Sequence, residues 1–188
     1  MEARIVYFEK PGKENTYAVL EIAKRRAGEL GIKTFVIASN HGYTADRAVR
    51  VLEGNKIIIV ASYYSPTLDS ISNTLAEGDE KLVRSRATVI IATHLFAGVS
   101  SAMRKKYNSV ETSEIVASTL RMVSTGTKVA VECSIMAADA GLVKTDEDVI
   151  AVGGTKSGSD TAIVLRPVNS QDLFDVKIKE ILCKPREW

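Results

Sequence analysis

The stretch "KTFVIASNHGYTADRAVRVLEGNKIIIVA" (33–61) contains a complete strand–helix–strand pattern. Residues 33–38 and 56–61 are continuous apolar runs, which are typical of strands buried on both faces. Between them, residues 44–53 carry apolar side chains at helical spacing, namely Ala45, Ala48, Val49 and Leu52. A helix that joins two fully buried strands predicts a parallel strand pair, which is the unit of an α/β sheet.

The same alternation continues outward along the chain in both directions. Residues 4–8 and 87–93 are predicted strands, and residues 16–30 form a helical pattern that Gly31 is placed to end. Residues 148–154 form a further buried strand. The sequence therefore predicts a three-layer α/β fold with a mainly parallel sheet and helices on both faces.

The last part of the chain has a different pattern. Residues 161–166 and 173–184 are predicted as two strands joined by a loop that contains Pro and Asn. In the second of them, apolar and charged side chains alternate from Phe174 to Lys179, which indicates one exposed face. We therefore expect an antiparallel C-terminal strand pair.

Two segments leave alternatives open. Residues 126–143 alternate like a strand and also have helical spacing, but their Ala-rich second half favours a helix; both assignments stay open for residues 128–136. Residues 62–86 start like a loop and then show a weak helical face. Whether residues 62–70 form a lid also stays open, and the Tyr63–Tyr64 pair could either stack on a planar ring or pack against the protein.

The composition is that of an ordinary globular protein. The 188 residues are 45% apolar and 26% charged, with a net charge of +2. One domain over residues 1–188 is the simplest organisation, although a chain of this length can hold two small domains. The small net charge indicates no nucleic-acid partner, and the basic run Arg104–Lys106 is typical of a solvated helix face.

Other patterns exclude further classes of protein. No apolar run approaches the roughly 20 residues of a membrane span, and the start lacks a signal-peptide stretch, so we expect a cytoplasmic protein without membrane contact. Cys133 and Cys183 have no metal-ligand or redox spacing. Both lie among apolar residues, which favours buried free thiols, and no metal site is predicted.

Polar segments that contain small residues follow four of the predicted strands, at residues 9–16, 39–45, 93–101 and 153–161. Ligands of open parallel sheets bind at the carboxyl ends of the strands, and the amides at helix N-termini attract anions. Glycine lets a ligand approach the backbone closely. The pattern predicts one site for a phosphate-bearing small molecule.

The candidate ligand-binding residues come from these segments. From the first three segments they are Glu9, Lys10, Asn15, Thr16, Ser39, Asn40, Gly42, Thr44, Ala45, Thr93, His94 and Gly98. Lys13 is a weaker candidate than Lys10 as a phosphate partner. The histidines His94 and His41 are the candidate acid/base groups, with Glu132 and Asp160 as further candidates, but no known catalytic spacing is present.

Each of these residues also has a structural alternative. Asn15, Thr16 and Thr44 are residue types that cap helix N-termini. Asp46, in the first turn of its predicted helix, would repel a bound phosphate. The pair Gly153–Gly154 fits a tight turn after a strand equally well.

Several longer motifs carry a family resemblance. They are "FEKPGKENT" (8–16), "THLFAGVSSAMRKKY" (93–107), "TLRMVSTGTKVAVECSIMAADAGL" (119–142), "DEDVIAVGGTKSGSDTAIVLRP" (146–167) and "VKIKEILCKPRE" (176–187). Over essentially the whole chain, the sequence resembles small, mostly archaeal proteins classed as similar to the C-terminal α/β domain of pyruvate kinase. The resemblance implies a stand-alone domain without a catalytic barrel, and therefore without pyruvate kinase activity.

The resemblance also implies a phosphorylated ligand. In pyruvate kinase this domain holds a regulatory sugar phosphate at a Ser/Thr-Gly-x-Ser/Thr-Ala turn, which Gly42, Thr44 and Ala45 match. His41 replaces the usual hydroxylic residue, which argues against a sugar phosphate. Proteins of the group look like binders of flavin mononucleotide (FMN), and the loose match of "GGTKSGSD" to the family adds Gly153, Gly154, Thr155, Asp160 and Thr161 to the implied cofactor-binding residues.

Three functions are compatible with these observations. The leading one is a binding or sensing protein for a phosphate-bearing ligand, with FMN as the suspected cofactor. The second is an enzyme that acts on a phosphorylated or flavin-linked substrate, with His94 and His41 as acid/base groups. The third is a regulatory or oligomer-forming module, and in each case we expect a homo-oligomer.

Overall fold

A computed structural model describes residues 2–63 and 77–188 of the chain. Its strands are β1 Val6–Phe8, β2 Thr34–Ala38, β3 Lys56–Ala61, β4 Thr88–Ile91, β5 Val149–Gly153, β6 Thr161–Arg166 and β7 Lys177–Pro185. Its α-helices are α1 Thr16–Leu30, α2 Tyr43–Val51, α3 Glu77–Arg86, α4 Val99–Tyr107, α5 Thr112–Arg121 and α6 Thr125–Asp139. Short 3₁₀-helices cover Lys13–Asn15 and Ser170–Asp175.

The described strands form one seven-stranded sheet with the order β1-β7-β6-β5-β2-β3-β4. Strands β5, β2, β3 and β4 pair in parallel, and so do β1 and β7. Strand β6 is antiparallel to both of its neighbours, β5 and β7. The predicted mainly parallel sheet with an antiparallel C-terminal pair is confirmed.

The core lies on both faces of the sheet. In β2, Phe35 and Ile37 point to the face that α1 and α2 cover, and Val36 points to the opposite face under α6. All three side chains are fully buried, and each such burial contributes about 1.5–3 kcal/mol to the stability of the fold. Burial on both faces is the reason why the strands are continuous apolar runs instead of alternating ones.

Helix α6 resolves one open assignment, because residues 128–136 lie inside it. Its buried residues lie on nearly all sides, which explains why both a strand and a helix period were visible in its sequence. At its first turn, Gly126 packs directly on Gly153 of β5: a Cβ at Gly153 would overlap the carbonyl oxygen of Gly126 and lie 3.0 Å from the amide of Ala130. This close contact sets the N-terminus of α6 at the carboxyl end of β5.

The predicted strand 173–184 is wrong in its first part. Residues Ser170–Asp175 form a 3₁₀-helix, and β7 begins only at Lys177. The turn is anchored by the Asp139 carboxylate, which accepts a hydrogen bond from the amide of Ser170 at 2.9 Å. Phe174, whose alternation suggested a strand, is 86% exposed. The tertiary contact of this turn with Asp139 therefore outweighs the strand period.

The cysteines, the membrane-spanning potential and residues 62–70 can also be compared with the sequence-based expectations. Cys133 and Cys183 are free, buried thiols, as predicted. No helix in the described ranges has the length and apolar character needed to cross a membrane. The question whether residues 62–70 form a lid stays open, because these residues lie almost entirely outside the described ranges.

Candidate functional site

Three of the four polar segments meet at the carboxyl edge of the sheet. Ser159, in the β5–β6 loop, donates a hydrogen bond from its amide to Thr16 Oγ1 at 2.9 Å. Its hydroxyl donates to Thr44 Oγ1 at 3.2 Å, so one serine contacts the first turns of both α1 and α2. Thr16 and Thr44 are only 1% and 2% exposed. These two threonines join the segments together, and their hydroxyls already have partners within the protein.

A cavity of about 210 Å³, which we call the inner cavity, opens at this edge. Of the predicted site residues, it is lined by Ser39, Asn40, His41, Thr44, His94 and Gly154. The other lining residues are Ala38, Tyr43, Thr125, Val129, Lys156, Ser157 and Gly158. The lining combines hydroxyls, an amide, two histidines and one lysine, and in the described part of the chain it includes no carboxylate.

A larger cavity of about 710 Å³, which we call the outer groove, adjoins the inner cavity and shares Asn40, His94 and Val129 with it. Thr93 and Gly98, both predicted, line it together with Tyr63 and Glu132. Arg104 and Lys105 of α4 also line it. The basic run that the sequence indicated as a solvated face therefore has two of its side chains at the rim of a groove.

Two helix N-termini point to the inner cavity. Helix α2 begins after Gly42, which has a φ of 82°, and in its first turn the amide of Ala45 donates a hydrogen bond to Ser39 Oγ at 3.2 Å. Helix α6 begins beside the cavity at Thr125, and its N-cap Ser124 accepts a hydrogen bond from the amide of Thr127 at 2.9 Å. The positive ends of both helix dipoles therefore lie at one cavity, which favours an anion there.

The alternative that Asn15, Thr16 and Thr44 cap the helices α1 and α2 does not hold. Asn15 precedes α1 without a capping hydrogen bond, because its side chain donates to the carbonyl of Lys10 at 2.8 Å. Thr16 and Thr44 lie within the first turns instead of preceding them. In the first turn of α2, Ser39 Oγ therefore already uses the amide of Ala45, which leaves the amides of Tyr43 and Thr44 for a ligand.

The charge of Asp46, which would repel a bound phosphate, is compensated by neighbouring arginines. Asp46 forms ion pairs with Arg50 at 2.8 Å and with Arg47 at 3.8 Å, so its negative charge is compensated. The ring of Tyr43 lies between Lys13 Nζ, 4.0 Å from its centroid, and the Arg47 guanidinium, 3.4 Å away. Two cations thus contact Tyr43, which lines the inner cavity.

A buried ionic cluster lies at the wall of the outer groove, and its member His94 also lines the inner cavity. The Glu132 side chain is fully buried; its Oε2 accepts hydrogen bonds from His94 Nδ1 at 2.9 Å and Lys128 Nζ at 2.5 Å, and its Oε1 accepts one from the amide of Phe96 at 2.8 Å. Burial alone would raise the pKa of Glu132, but the hydrogen bond from His94 and the charge of Lys128 outweigh it and lower the pKa. Glu132 is therefore an ionised carboxylate at neutral pH.

Asp160 has a structural role in the β5–β6 loop. It is fully buried, and it accepts hydrogen bonds from Thr161 Oγ1 at 2.9 Å and from the amide of Thr155 at 3.0 Å. Burial raises its pKa, and these hydrogen bonds oppose that rise. Asp160 lines neither cavity, so its contacts shape the loop that carries Lys156 and Ser157.

The structure separates the predicted residues into two groups. The predicted residues that line a cavity are Ser39, Asn40, His41, Thr44, Thr93, His94, Gly98, Glu132 and Gly154. The predicted residues that line neither cavity are Glu9, Lys10, Asn15, Thr16, Gly42, Ala45, Gly153, Thr155, Asp160 and Thr161. Glu9 and Lys10 follow β1, which is the edge strand of the sheet. Gly153 is required for close packing of α6, as its contact with Gly126 shows.

Some residues of the cavities were not predicted. Lys156, Ser157 and Gly158 lie in the quoted segment 153–161, and the unusual backbone of Lys156, with a φ of 64°, was not visible in its sequence. Thr125 and Val129 belong to α6, whose assignment was open. A helix start at Ser124-Thr125 next to Gly126 was the signal that pointed to them.

A family model matches most of the chain. The family described as "Pyruvate kinase, alpha/beta domain" matches residues 17–165. The chain therefore belongs to the pyruvate kinase α/β-domain family.

The described residues contain no group of three or more His, Cys, Asp or Glu side chains placed to hold a metal ion.

Solved structures similar to this chain include pyruvate kinases from Cryptosporidium parvum. One is 14% identical with a TM-score of 0.42, over 81% of this chain and 23% of that enzyme. A second has 14% identity, a TM-score of 0.41, and coverage of 85% and 23%; a third, in complex with ADP, has 16% identity, a TM-score of 0.39, and coverage of 84% and 24%. The chain thus spans about a quarter of the length of these enzymes.

Proposed function

We propose that this member of the pyruvate kinase α/β-domain family is a binding or sensing protein for a phosphate-bearing small molecule. The phosphate would occupy the inner cavity, and the rest of the ligand would lie in the outer groove. FMN is the leading ligand, because of the resemblance of the sequence to FMN binders. As part of this proposal, the domain acts as a stand-alone protein.

One observation carries this proposal. The N-termini of α2 and α6 and the loop with Lys156 surround one cavity whose described lining has no carboxylate. Backbone amides at helix N-termini bind phosphate through hydrogen bonds and through the helix dipole. A cation and several hydroxyls at the same cavity supply further donors.

The sizes of the two cavities are compatible with such a ligand. The inner cavity, about 210 Å³, is smaller than the range of roughly 300–1,000 Å³ that is typical of sites for whole organic ligands. The adjoining groove of about 710 Å³ falls within that range. Tyr63 is 51% exposed at this groove, where its ring is available to stack on a planar ligand.

The proposal does not include catalysis of the pyruvate kinase reaction. The resemblance of the sequence implies a domain that lacks a catalytic barrel, and we therefore expect no pyruvate kinase activity. A homo-oligomer and a cytoplasmic location stay predictions.

The ligand test begins with the gently purified protein. An absorbance spectrum and a mass spectrum of released small molecules identify any ligand that co-purifies. Thermal unfolding is then measured with FMN, riboflavin or inorganic phosphate added. A ligand at 100 times its Kd stabilises the native state by about 2.7 kcal/mol. FMN is expected to stabilise more than riboflavin, and a colourless protein whose unfolding ignores all three compounds contradicts the proposal.

An enzyme that acts on a phosphorylated or flavin-linked substrate is the second candidate function. Its support is the hydrogen bond between His94 and Glu132, because a histidine oriented by a carboxylate is a common general base. His41 lines the same cavity but is exposed. Loss of turnover in a His94→Ala variant that still binds ligand distinguishes this function from binding alone.

A further inference from the structure

The side chain of Lys13 has no partner of opposite charge among the described residues. Its Nζ lies 4.0 Å from the centroid of the Tyr43 ring, and it forms no ion pair with a described carboxylate. Lys13 is exposed, and a cation on the face of an aromatic ring is held only weakly at an exposed position. The side chain of Lys13 is therefore available to a stronger partner.

The backbone of Lys13 is fixed beside the inner cavity. Its carbonyl accepts a hydrogen bond from the hydroxyl of Thr16 at 2.8 Å, and the same hydroxyl oxygen accepts one from the amide of Ser159. The Cα of Lys13 lies so close to Gly158 that a Cβ on this glycine would be 2.5 Å from it. Gly158 and Tyr43 both line the inner cavity. The side chain of Lys13 thus begins beside one lining residue and ends on the ring of another.

The second cation on the ring, Arg47, is held there by other groups. Its Nη1 donates a hydrogen bond to the carbonyl of Tyr43 at 2.9 Å and lies 3.8 Å from the carboxylate of Asp46. Arg47 and Lys13 also repel each other across the ring, because their charges have the same sign. Lys13 is therefore the cation that can leave the ring without losing an ion pair to a described residue.

A phosphate at the start of α2 would lie beside Tyr43. The amides that this first turn leaves for a ligand are those of Tyr43 and Thr44. A phosphate oxygen accepts a charge-assisted hydrogen bond from a lysine, which is stronger than the contact of a lysine with an exposed ring. The described lining of the inner cavity has no carboxylate that would compete for the lysine. The balance of these contacts favours movement of Lys13 from the ring to the phosphate.

We propose that Lys13 is a phosphate-binding residue that rests on Tyr43 when no ligand is bound and moves to the phosphate when the ligand binds. Together with Lys156, it matches the charge of a phosphate monoester, which carries about two negative charges at neutral pH. This inference rests on the proposed phosphate site and adds to it a residue that lines neither cavity in the structure. It also assigns the role to Lys13 instead of Lys10, which lies in the same polar segment.

The binding test compares Lys13→Met with Lys10→Met. Both lysines are exposed, and both variants change the net charge of the protein equally. Fluorescence titration at low salt measures the Kd for FMN. We expect Lys13→Met to raise this Kd about five- to tenfold, and Lys10→Met to change it by less than about twofold. Circular dichroism checks that both variants keep the fold.

A second measurement follows the lysine itself. In protein with carbon-13-labelled lysine, the NMR signal of the ε-methylene group that is missing from Lys13→Arg belongs to Lys13. Without ligand, in phosphate-free buffer, the ring current of Tyr43 should displace this signal from the ordinary lysine position, and Tyr43→Leu should abolish the displacement. Saturating inorganic phosphate, which has no ring of its own, is expected to return the wild-type signal to the ordinary position.

The outcomes separate this inference from the proposed function. An unchanged Kd in Lys13→Met, or the same rise in Lys10→Met, overturns the inference and leaves the phosphate site without Lys13. A Lys13 signal that is not displaced without ligand, or that stays displaced in saturating phosphate, overturns it as well. If neither FMN nor inorganic phosphate binds the wild-type protein, the proposed function fails and the inference fails with it.

Discussion

The backbone amide of Ser159 donates a hydrogen bond of 2.9 Å to the hydroxyl of Thr16, although the two residues are 143 positions apart. The same hydroxyl donates to the carbonyl of Lys13 at 2.8 Å. One buried side chain therefore satisfies two backbone groups and joins the start of α1 to the β5–β6 loop. The loop wall of the inner cavity depends on this contact.

We expect Thr16→Val to lower the free energy of unfolding by about 1–3 kcal/mol, because the valine leaves the buried amide of Ser159 without an acceptor. The carbonyl of Lys13 keeps the backbone amide of residue 16 as a donor. The matched control is Thr119→Val on α5, whose hydroxyl donates to the carbonyl of Ile115 at an exposed position. There we expect a change within about 0.5 kcal/mol. Urea unfolding measures both, and equal effects would contradict the assigned role of Thr16.

Two glycine substitutions are expected to have opposite effects. Gly153→Ala places a methyl group against the backbone of α6 and should destabilise the protein by about 1–3 kcal/mol through overpacking. Gly28→Ala, in α1, meets no atom within 4 Å and should stabilise the protein by about 0.4–1 kcal/mol. Thermal unfolding gives both signs, and a neutral Gly153→Ala would show that α6 does not need this close approach.

Lys128→Met tests the buried ionic cluster. The substitution leaves the Glu132 carboxylate with only His94 and the amide of Phe96 as partners. We expect the free energy of unfolding at pH 7, measured by urea unfolding, to fall by about 3 kcal/mol, which is the lower end of the cost of breaking a buried ion pair. The double variant Lys128→Met/Glu132→Gln should recover part of this loss.

The loss caused by Lys128→Met should depend on pH with a definite sign. In the wild-type protein the pKa of Glu132 lies below its ordinary value. Burial raises this pKa, but His94 and Lys128 together lower it by more than burial raises it. The stability that Glu132 contributes is therefore present above its unfolded-state pKa and lost as the pH falls through the folded one. Without Lys128 the carboxylate protonates at higher pH, so the difference between variant and wild type should shrink from pH 7 to pH 4. A difference that is constant with pH would contradict this account.

Lys156→Ala tests the positive charge at the inner cavity. Lys156 is exposed, and we expect the Kd for FMN to rise by about fivefold, which corresponds to about 1 kcal/mol for a solvent-exposed charge. Lys33→Ala is the matched control, because this exposed lysine precedes β2 and lies at the opposite end of the same sheet. Fluorescence titration at two salt concentrations measures both. Equal effects of the two variants would show that only the net charge matters.

The site could be predicted only in part. The segments 39–45 and 153–161 were identified because small polar residues after buried strands are unusual, and both line the inner cavity. The choice of single residues within them was less accurate. Thr16 and Asp160 are polar residues near a strand end, but their polar atoms satisfy the protein itself, and no local pattern separates that role from ligand binding.

The contact between His94 and Glu132 could not be predicted from the sequence, although both residues could be named. Both were named as acid/base candidates, but their pairing across 38 positions depends on α6 packing beside the end of β4. The wrong strand start before Lys177 has a related cause. The alternation at Phe174 is a local signal, whereas the anchoring of this turn comes from Asp139, which is distant in sequence.

The sequence by itself determined that buried strands alternate with helices, because burial on both faces of a sheet requires continuous apolar runs whatever their neighbours are. It also determined where polar segments interrupt them. Only the tertiary structure decided the strand order, the meeting of Ser159 with Thr16 and Thr44, and the burial of Glu132 behind His94. These contacts join residues far apart in the chain, and their free energies depend on packing that no local residue pattern encodes.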